Sequence, residues 1–270
     1  MSAGGRRPGA PGGPGRAGSA VGRALGLPVV LLVLWWVASA DSTNIFLPPL
    51  RVIVAAFREV WLSEVFLRDV VPSLWRLAVG YGAALLLGVA AGYVIGRWSV
   101  VRDLTSPLLA YFRVLPSPVL IPVLLVAVGI GDGTKLIVIV SGALWPILLN
   151  TADGVRAVDD VGRETAAVFG LPRWTRHRLL LHAALPQVFA GARQALGVSI
   201  IVMVVSEMLM STDGLGFTVI RFQRSFAIPE MWSGVLLLGA LGFALAKLLE
   251  LVERRALRWH RGVTGREGAS

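Results

Sequence analysis

Few side chains that carry out chemistry are available in this chain of 270 residues. It contains no Cys and three His, namely His177, His182 and His260. Without thiols there is no disulfide, no thiolate metal site and no thiol nucleophile, and three His are too few for most His-based metal centres. The sequence also lacks the Gly-x4-Gly-Lys-Ser/Thr loop that binds nucleotide phosphates. We therefore predict no catalytic residue, no metal, no cofactor and no ATP hydrolysis by this chain alone.

One serine suggests an enzyme. Gly197-Val-Ser199 lies within an apolar run and is similar to the Gly-x-Ser of a membrane serine protease. No His lies within any predicted membrane span, so Ser199 has no evident general base, and serine in a membrane helix more often bonds a backbone carbonyl. An intramembrane hydrolase is therefore the weaker alternative.

The polar or polarisable side chains inside the apolar runs are better candidates for transport. A charge at the centre of a bilayer costs about 2.5 to 3.5 kcal/mol on insertion scales, so such a group is expected to face a polar path, a partner or the interface. Glu207 is the only carboxylate within the predicted spans, and it lies four residues before the Ser211-Thr212-Asp213 loop. The residues predicted to line or gate a translocation path are Asn150, Met203, Ser206 and Glu207.

Composition indicates that these residues are positioned by membrane helices. Hydrophobic residues make up 55% of the chain and charged residues 16%, where a soluble domain has roughly a quarter charged. A span needs about 20 apolar residues. We predict an all-α polytopic membrane protein with six spans, at 24–40, 77–96, 114–131, 136–152, 195–210 and 231–246.

Two of these spans have particular features. In the second, small residues recur every four positions and predict a close packing seam with another helix; they are Gly80, Ala84, Gly88, Gly92 and Gly96. In the third, Pro116, Pro118 and Pro122 remove backbone hydrogen bonds, so the freed carbonyls are expected to face protein or a water-filled path.

The first apolar run has two interpretations. A basic leader, a short apolar run and the triplet Ala38-Ser39-Ala40 are also typical of a cleaved signal peptide. We favour a retained span. The following segment, 41–76, mixes charged and apolar residues at helical spacing and predicts an amphipathic helix on the membrane surface or on the protein itself.

The positive charges are unevenly distributed between the predicted loops. Nineteen of the 26 Lys and Arg fall in 1–23, 97–113, 153–193 and from 247 onward, and seven fall in the loops on the other side. Under the positive-inside rule, both termini and the 153–193 loop are cytoplasmic. The net charge of +10 therefore requires no nucleic acid.

The longest of these cytoplasmic loops contains a distinctive segment. Good helix formers follow Glu164, Gly170 and Pro172 end the short helix, and a further helix with Leu185-Pro186 follows. A helix that ends at Gly in a basic loop is either a docking surface or an ordinary connector.

The segment Glu164-Thr-Ala166-Ala-Val-Phe-Gly170 resembles the EAA loop of the permease subunits of ABC importers. The similarity extends over about residues 45 to 260. Several short motifs in this range resemble those of the nitrate, sulfonate and taurine branch of these permeases. They are Leu47-Pro48-Pro49, Ser73-Leu-Trp-Arg76, Leu115-Pro116, Gly129-Ile-Gly131, Asn150-Thr151, Ser206-Glu207-Met208 and Gly214-Leu-Gly216. Thr165 replaces the family's first Ala, and His182 stands where a first Leu-Pro pair often ends.

The resemblance implies the type I ABC importer permease fold and several partners. These are a second permease copy in a homodimer or close heterodimer, two cytoplasmic ATP-binding subunits, an extracytoplasmic solute-binding protein, and the bilayer. The residues expected to dock on the ATPase are Glu164, Ala166, Gly170 and Leu171, and Gly170 is expected at a positive φ. The substrate class would be small anions such as sulfonates, nitrate and taurine.

The resemblance also suggests a division of the chain. It comprises a basic tail (1–23), a first span with an external amphipathic segment (24–68), a permease domain (69–253) with a coupling loop (153–186), and a second basic tail (254–270). Glu207 is expected to brace and gate the outer mouth, bonded to Arg221 or the backbone, because a free carboxylate would repel an anion; direct substrate contact is the alternative. An ion-gradient-driven secondary transporter is also an alternative, but it would be expected to show several intramembrane carboxylates or an internal repeat.

Overall fold

The computed structural model describes residues 26, 29–157, 168–170 and 172–258, and this part of the chain is helical without strands. Its elements, in order, are α1 (Val29–Ala38), α2 (Leu50–Trp61), α3 (Val71–Arg97), α4 (Ser99–Phe112), α5 (Leu120–Val128), α6 (Asp132–Arg156), α7 (Arg173–Met210), α8 (Leu215–Arg224) and α9 (Ile228–Ala256). A π-helical turn, Phe66–Val70, leads into α3, and a 3-10 turn, Ser117–Val119, leads into α5. The second basic tail, predicted from 254, begins in the last turn of α9, whereas the tail at 1–23 lies outside the described residues.

Among the residues that the structure describes, four helices are long and apolar enough to cross a membrane: α3 with its preceding π turn, α6, α7 and α9. They contain the second, fourth, fifth and sixth predicted spans. The first predicted span is represented by α1, which has ten residues and a length of about 15 Å, shorter than the roughly 30 Å hydrocarbon core.

The third predicted span is not one straight helix, and this corrects the sequence prediction. The chain forms two helical pieces, Ser99–Phe112 and Ser117–Val128, bent by 76° relative to each other. Pro116 has φ −64° and ψ 121°, an extended conformation that interrupts the helix, and Pro118 lies in the 3-10 turn that follows. The break between the two helical pieces therefore falls at Pro116 and Pro118, where the sequence predicts missing backbone hydrogen bonds.

The centre of the fold is a three-helix packing of α3, α6 and α7. The predicted small-residue seam on α3 is confirmed, because a Cβ built on Gly92 would lie 2.5 Å from the carbonyl oxygen of Leu148 on α6. Across the second interface, a Cβ on Gly191 of α7 would lie 2.6 Å from the carbonyl oxygen of Pro146. Backbones this close exclude any larger side chain, so these glycines set the helix spacing.

The helix α7 is longer than the predicted fifth span. It runs without interruption through 38 residues, about 57 Å, and includes Pro186 and the apolar stretch 179–192 that the sequence suggested as a separate helix. It therefore extends from the coupling loop to the opposite end of the bundle. We call the end of the bundle near residues 153–172 the loop end and the opposite end the Glu207 end.

The amphipathic helix predicted within 41–76 is confirmed as α2. Its buried residues are Leu50, Ile53, Ala56 and Trp61. Trp61 donates a hydrogen bond of 2.9 Å from Nε1 to Ser233 Oγ on α9. The helix thus lies on the protein itself, against the start of α9.

The first apolar helix is attached to the same region. Trp35 packs edge to face against Trp232 with ring centroids 5.5 Å apart. The Leu50 N–H donates to Ser39 Oγ over 3.1 Å, and Ser39 is buried. Cleavage after Ala40 would remove both contacts.

We therefore expect the mature protein to retain residues 29–40. Intact mass measurement of the protein purified from membranes should give a mass that includes this segment. A mature chain that begins at Asp41 would show that the segment is a signal peptide.

Candidate functional site

A buried arginine joins several helices at the Glu207 end. The Arg76 side chain is 3% exposed, and its Nη1 donates to Glu207 Oε1 over 3.0 Å. Its Nε donates to Asp132 Oδ1 over 2.7 Å, and its Nη2 donates to both carboxylate oxygens of Asp213, over 2.9 and 3.0 Å. One guanidinium thus connects α3, α6, α7 and the turn after α7. We call Arg76, Asp132, Lys135, Glu207 and Asp213 the ion cluster.

Glu207 is fully buried, and both of its carboxylate oxygens have partners. Ser73 Oγ lies 2.7 and 2.8 Å from Oε1 and Oε2. The Gly216 N–H donates to Oε2 over 2.9 Å. A buried carboxylate needs such partners, because an uncompensated charge in the interior is strongly destabilising. Glu207 therefore presents no free negative charge to solvent. Of its two expected partners, Arg221 or the backbone, the structure shows the backbone, through the Gly216 N–H, and adds Arg76.

The turn after α7 fits closely around Glu207. Gly214 has φ +105°, and a Cβ there would lie 2.6 Å from Cδ of Glu207. A Cβ on Gly216 would lie 2.5 Å from the carbonyl oxygen of Val204. The motif Gly214-Leu-Gly216 is thus explained by the close approach of the turn to the carboxylate.

The charges of the ion cluster nearly balance. Lys135 Nζ lies 3.2 Å from Asp132 Oδ1 and 3.7 Å from Asp213 Oδ1, and its side chain is 5% exposed. Burial by itself would raise the pKa of Asp213, but the hydrogen bond and charge of Arg76, with Ser211 and Lys135, hold that pKa below its usual value. Asp213 therefore stays ionised at neutral pH and keeps its bond to Arg76.

A second buried carboxylate attaches α8 to the same end. Asp69 is 1% exposed. It accepts a hydrogen bond of 2.7 Å from Thr218 Oγ1 and one of 2.9 Å from Arg68 Nη2. The turn and helix that follow α7 are thus held at two neighbouring points.

The other three residues predicted to line or gate the path differ in how deeply they are buried. Met203 and Ser206 are buried between helices, and Ser206 Oγ donates to the Met203 carbonyl over 2.8 Å. Asn150 is half-buried on α6, and its Nδ2 donates to the Pro146 carbonyl over 2.8 Å. Only Asn150 of these three reaches a surface of the chain.

At the loop end, part of the predicted coupling segment is described. Gly170 has φ +62°, and no neighbouring atom lies within 4 Å of the position that a Cβ would take, as expected for a glycine that ends a helix. The apolar side chains around it are exposed: Val168 by 85%, Phe169 by 77% and Trp174 by 78%. Glu164, Ala166 and Leu171 lie outside the described residues.

The serine that suggested an enzyme is bonded to its own helix. Ser199 is fully buried, and its Oγ donates to the Ala195 carbonyl over 2.7 Å, the usual bond of a helical serine. Within the described ranges, no three His, Cys, Asp or Glu residues come together in a way that could hold a metal ion.

Most of the ion cluster is not evident from the sequence. Arg76 stands out there only as part of a motif, and Asp132 and Lys135 only as parts of a turn. The partners of Arg76 lie 56 to 137 residues away along the chain. One feature of the sequence could have indicated the cluster. Arg76, Lys135 and Glu207 each stand at one end of an apolar run, and because consecutive spans are antiparallel, these three ends lie on the same side of the membrane.

Comparison with known proteins agrees with the motif assignment. A family model described as "Binding-protein-dependent transport system inner membrane component" matches residues 84–258. SsuC of Bacillus subtilis (strain 168), named as a putative aliphatic sulfonates transport permease protein, is 28% identical over 93% of this chain and 92% of its own. The taurine transport system permease protein TauC of Escherichia coli (strain K12) is 27% identical over 87% and 89% of the two chains. The nitrate import permease protein NrtB of Synechocystis sp. (strain ATCC 27184 / PCC 6803 / Kazusa) is 28% identical over 83% and 85%.

Proposed function

Because the chain belongs to the family of binding-protein-dependent transport system inner membrane components, we propose that it provides the membrane path for a small oxyanion such as a sulfonate, nitrate or taurine. The chain is a multi-pass permease subunit of an ABC importer and not an enzyme. Its family works with an ATPase and a solute-binding protein. The substrate class is suggested by the names of the relatives, which refer to sulfonates, taurine and nitrate.

One observation supports an anionic substrate most directly. Glu207, the carboxylate predicted within the spans, is fully buried and bonded to Arg76. A free carboxylate along the path would repel an anion, and its sequestration removes that barrier.

In the proposed assembly, two permease copies form the path and two ATPase subunits bind at the loop end. Glu164, Ala166, Gly170 and Leu171 form the docking surface, within a coupling loop at 153–186 of a permease domain at 69–253. The termini and the loop end are cytoplasmic, in keeping with the positive charge there. The binding protein then meets the Glu207 end.

The ion cluster is proposed to brace and gate this outer end. Arg76 links three spans through bonds that a relative movement of α3, α6 and α7 would break. While its bonds are intact, the ion cluster favours the arrangement of α3, α6 and α7 in which the outer end is held together. ATP-driven movement at the loop end would shift the equilibrium toward a second arrangement in which these bonds are broken. Met203 and Ser206 lie beside it and are proposed to move with the gate.

This role predicts the behaviour of Glu207→Gln. The amide keeps the size of the side chain and one acceptor oxygen, but its NH2 group cannot accept, so it cannot satisfy both the Gly216 N–H and Arg76. The complex should still assemble, while uptake falls by about threefold to tenfold, the effect of roughly 1 kcal/mol on a two-state balance. Initial uptake rates should be measured in proteoliposomes that contain the ATPase and binding protein, with unlabelled solutes as competitors. The order in which solutes compete should not change.

The matched control is Glu59→Gln, which removes the same charge from an exposed site on α2. It should transport as the unaltered protein does. A Glu207→Gln variant with an unchanged rate and an altered competition order would show instead that Glu207 contacts the solute and that the solute presents a positive charge to it, which nitrate and a simple alkanesulfonate do not have.

A further inference from the structure

A glutamine lies exposed within the apolar part of α7. Gln194 is exposed, and its neighbour Ala195 is buried in a cluster with Ala84, Ala143 and Ile147. Ala84 lies inside the uncharged stretch 77–96 of α3. Tyr81, in the same stretch, donates to the Ala192 carbonyl over 2.9 Å. Gln194 is thus at the depth of the hydrocarbon core.

The amide of Gln194 pairs with an amide on α6. Asn150 Nδ2 donates to Gln194 Oε1 over 3.4 Å and to the Pro146 carbonyl over 2.8 Å. The two N–H groups of Gln194 have no hydrogen-bond partner among the residues that the structure describes. In contact with lipid tails these donors would remain unsatisfied, at a cost of several kcal/mol on hydrocarbon-transfer scales. This face of α7 is therefore unsuited to lipid.

A hydroxyl and the break between α4 and α5 lie against the same two helices. A Cβ built on Gly142 of α6 would lie 3.1 Å from Ser117 Oγ and 3.3 Å from Cγ1 of Val198. Val198 is one helical turn from Gln194. Interrupted backbone at membrane depth is tolerated where it is covered by protein or lines water. We call Asn150 and Gln194 the amide patch; Ser117 lies against Gly142, about two helical turns along α6 from Asn150.

The charges around the amide patch are compensated. On α6, Asp153 lies one helical turn from Asn150, and its Oδ1 is 3.7 Å from Arg156 Nη1. Between Val168 and Ser206 the sequence has no Asp or Glu. The adjacent Arg193 is compensated by Glu253, 2.7 Å away on α9. Both N–H groups of Asn150 are donated within the protein. The patch thus offers the two neutral N–H donors of Gln194, which suit oxygen acceptors and bind weakly enough for release.

We propose that the amide patch is a hydrogen-bonding station for the oxyanion inside the translocation path. This inference rests on the proposed function for the identity of the solute, but it makes a separate claim, namely that Gln194 faces water. A solute that leaves the binding protein would exchange hydration for these donors and then pass to the loop end.

The natural absence of Cys permits a direct test of water access. Gln194→Cys should be compared with Leu86→Cys in the complete complex in lipid nanodiscs. Leu86 is 74% exposed on α3, two residues from Ala84, and serves as the control at similar depth. The reagent is sulfonatoethyl methanethiosulfonate, which carries a sulfonate and modifies thiolates. Labelling of the permease subunit is followed by mass spectrometry.

We expect Gln194→Cys to react at least about tenfold faster than Leu86→Cys, because a thiol ionises readily only where water reaches it. Equal rates, or labelling of neither site, would overturn the proposal. In that case lipid or the second permease copy covers the patch.

A transport measurement separates this claim from the proposed substrate class. Gln194→Glu places a carboxylate beside the path and should reduce the uptake of labelled ethanesulfonate by about tenfold or more, since like charges in a narrow site repel strongly. Gln223→Glu, exposed on α8 outside the spans, is the control for added charge and should have no effect. Equal uptake by both variants would overturn the proposed station. Rapid labelling of Gln194→Cys in a complex that carries no oxyanion would support the water-lined patch and contradict the proposed substrate.

Discussion

Replacement of Arg76 with methionine should lower the free energy of unfolding of the protein by about 3 to 5 kcal/mol, because it leaves Glu207 buried without its counter-charge. Glu207 is fully buried, and the Ser73 and Gly216 donors alone do not neutralise it. Asp132 and Asp213 would also lose their hydrogen bonds from Arg76. The change should be measured as denaturant unfolding of the detergent-solubilised protein.

The double variant Arg76→Met with Glu207→Gln provides the control. It leaves no unpaired charge at Glu207, so it should be more stable than Arg76→Met alone, and the two substitutions should be clearly non-additive. If both variants lost the same amount, Arg76 would stabilise the fold by packing and not through the carboxylate.

The second large effect is expected at the loop end. Gly170→Val places a β-branched residue at φ +62°, a strain of about 1 to 3 kcal/mol that redirects the chain between the coupling segment and α7. Glu164→Lys reverses a charge on the proposed docking surface. Both variants should remain in the membrane, should bind the ATPase weakly on co-purification, and should reduce uptake by at least about tenfold.

Gly129→Val is the matched control for backbone strain. Gly129 has φ +90° and free space around it, but it lies at the Glu207 end. This variant should be at least as strained, because φ +90° with ψ −177° is essentially restricted to Gly, and it should still retain the ATPase on co-purification. Normal uptake by both loop variants would show that the loop is a connector and not the coupling element.

Local spacing is sufficient to predict the packing of the spans. Small residues at every fourth position of α3 predict the seam, and the structure places Gly80, Gly88, Gly92 and Gly96 against α6. The prolines at 116 and 118 predict missing backbone hydrogen bonds in the third span, but the sequence does not predict that the helix is divided there. The angle of 76° between its two pieces depends on tertiary packing, including Phe112 stacked on Trp145, and no local pattern encodes it.

The ion cluster shows where sequence reasoning reaches its limit. The cost of burying a charge identifies Glu207 as a residue in need of a partner. The sequence offers Arg221 or the backbone as partners. The structure supplies the backbone N–H of Gly216 and, in place of Arg221, Arg76, which is 131 residues away. A choice between several arginines at one end of a bundle depends on helix rotation and depth. The turn at 214–216, which shapes the carboxylate site, fixes that choice.

The most direct test of an anion-carrying permease is ATP-driven uptake by the complete complex. Proteoliposomes that contain this chain, its ATPase and its binding protein should accumulate labelled ethanesulfonate only when ATP reaches the ATPase. Unlabelled taurine and nitrate should be tested as competitors, and choline, a cation of similar size, should not compete. Accumulation of ethanesulfonate with ATP and without any ion gradient is the predicted result. Uptake that requires an ion gradient instead of ATP, or that choline blocks while sulfonates do not, would contradict it.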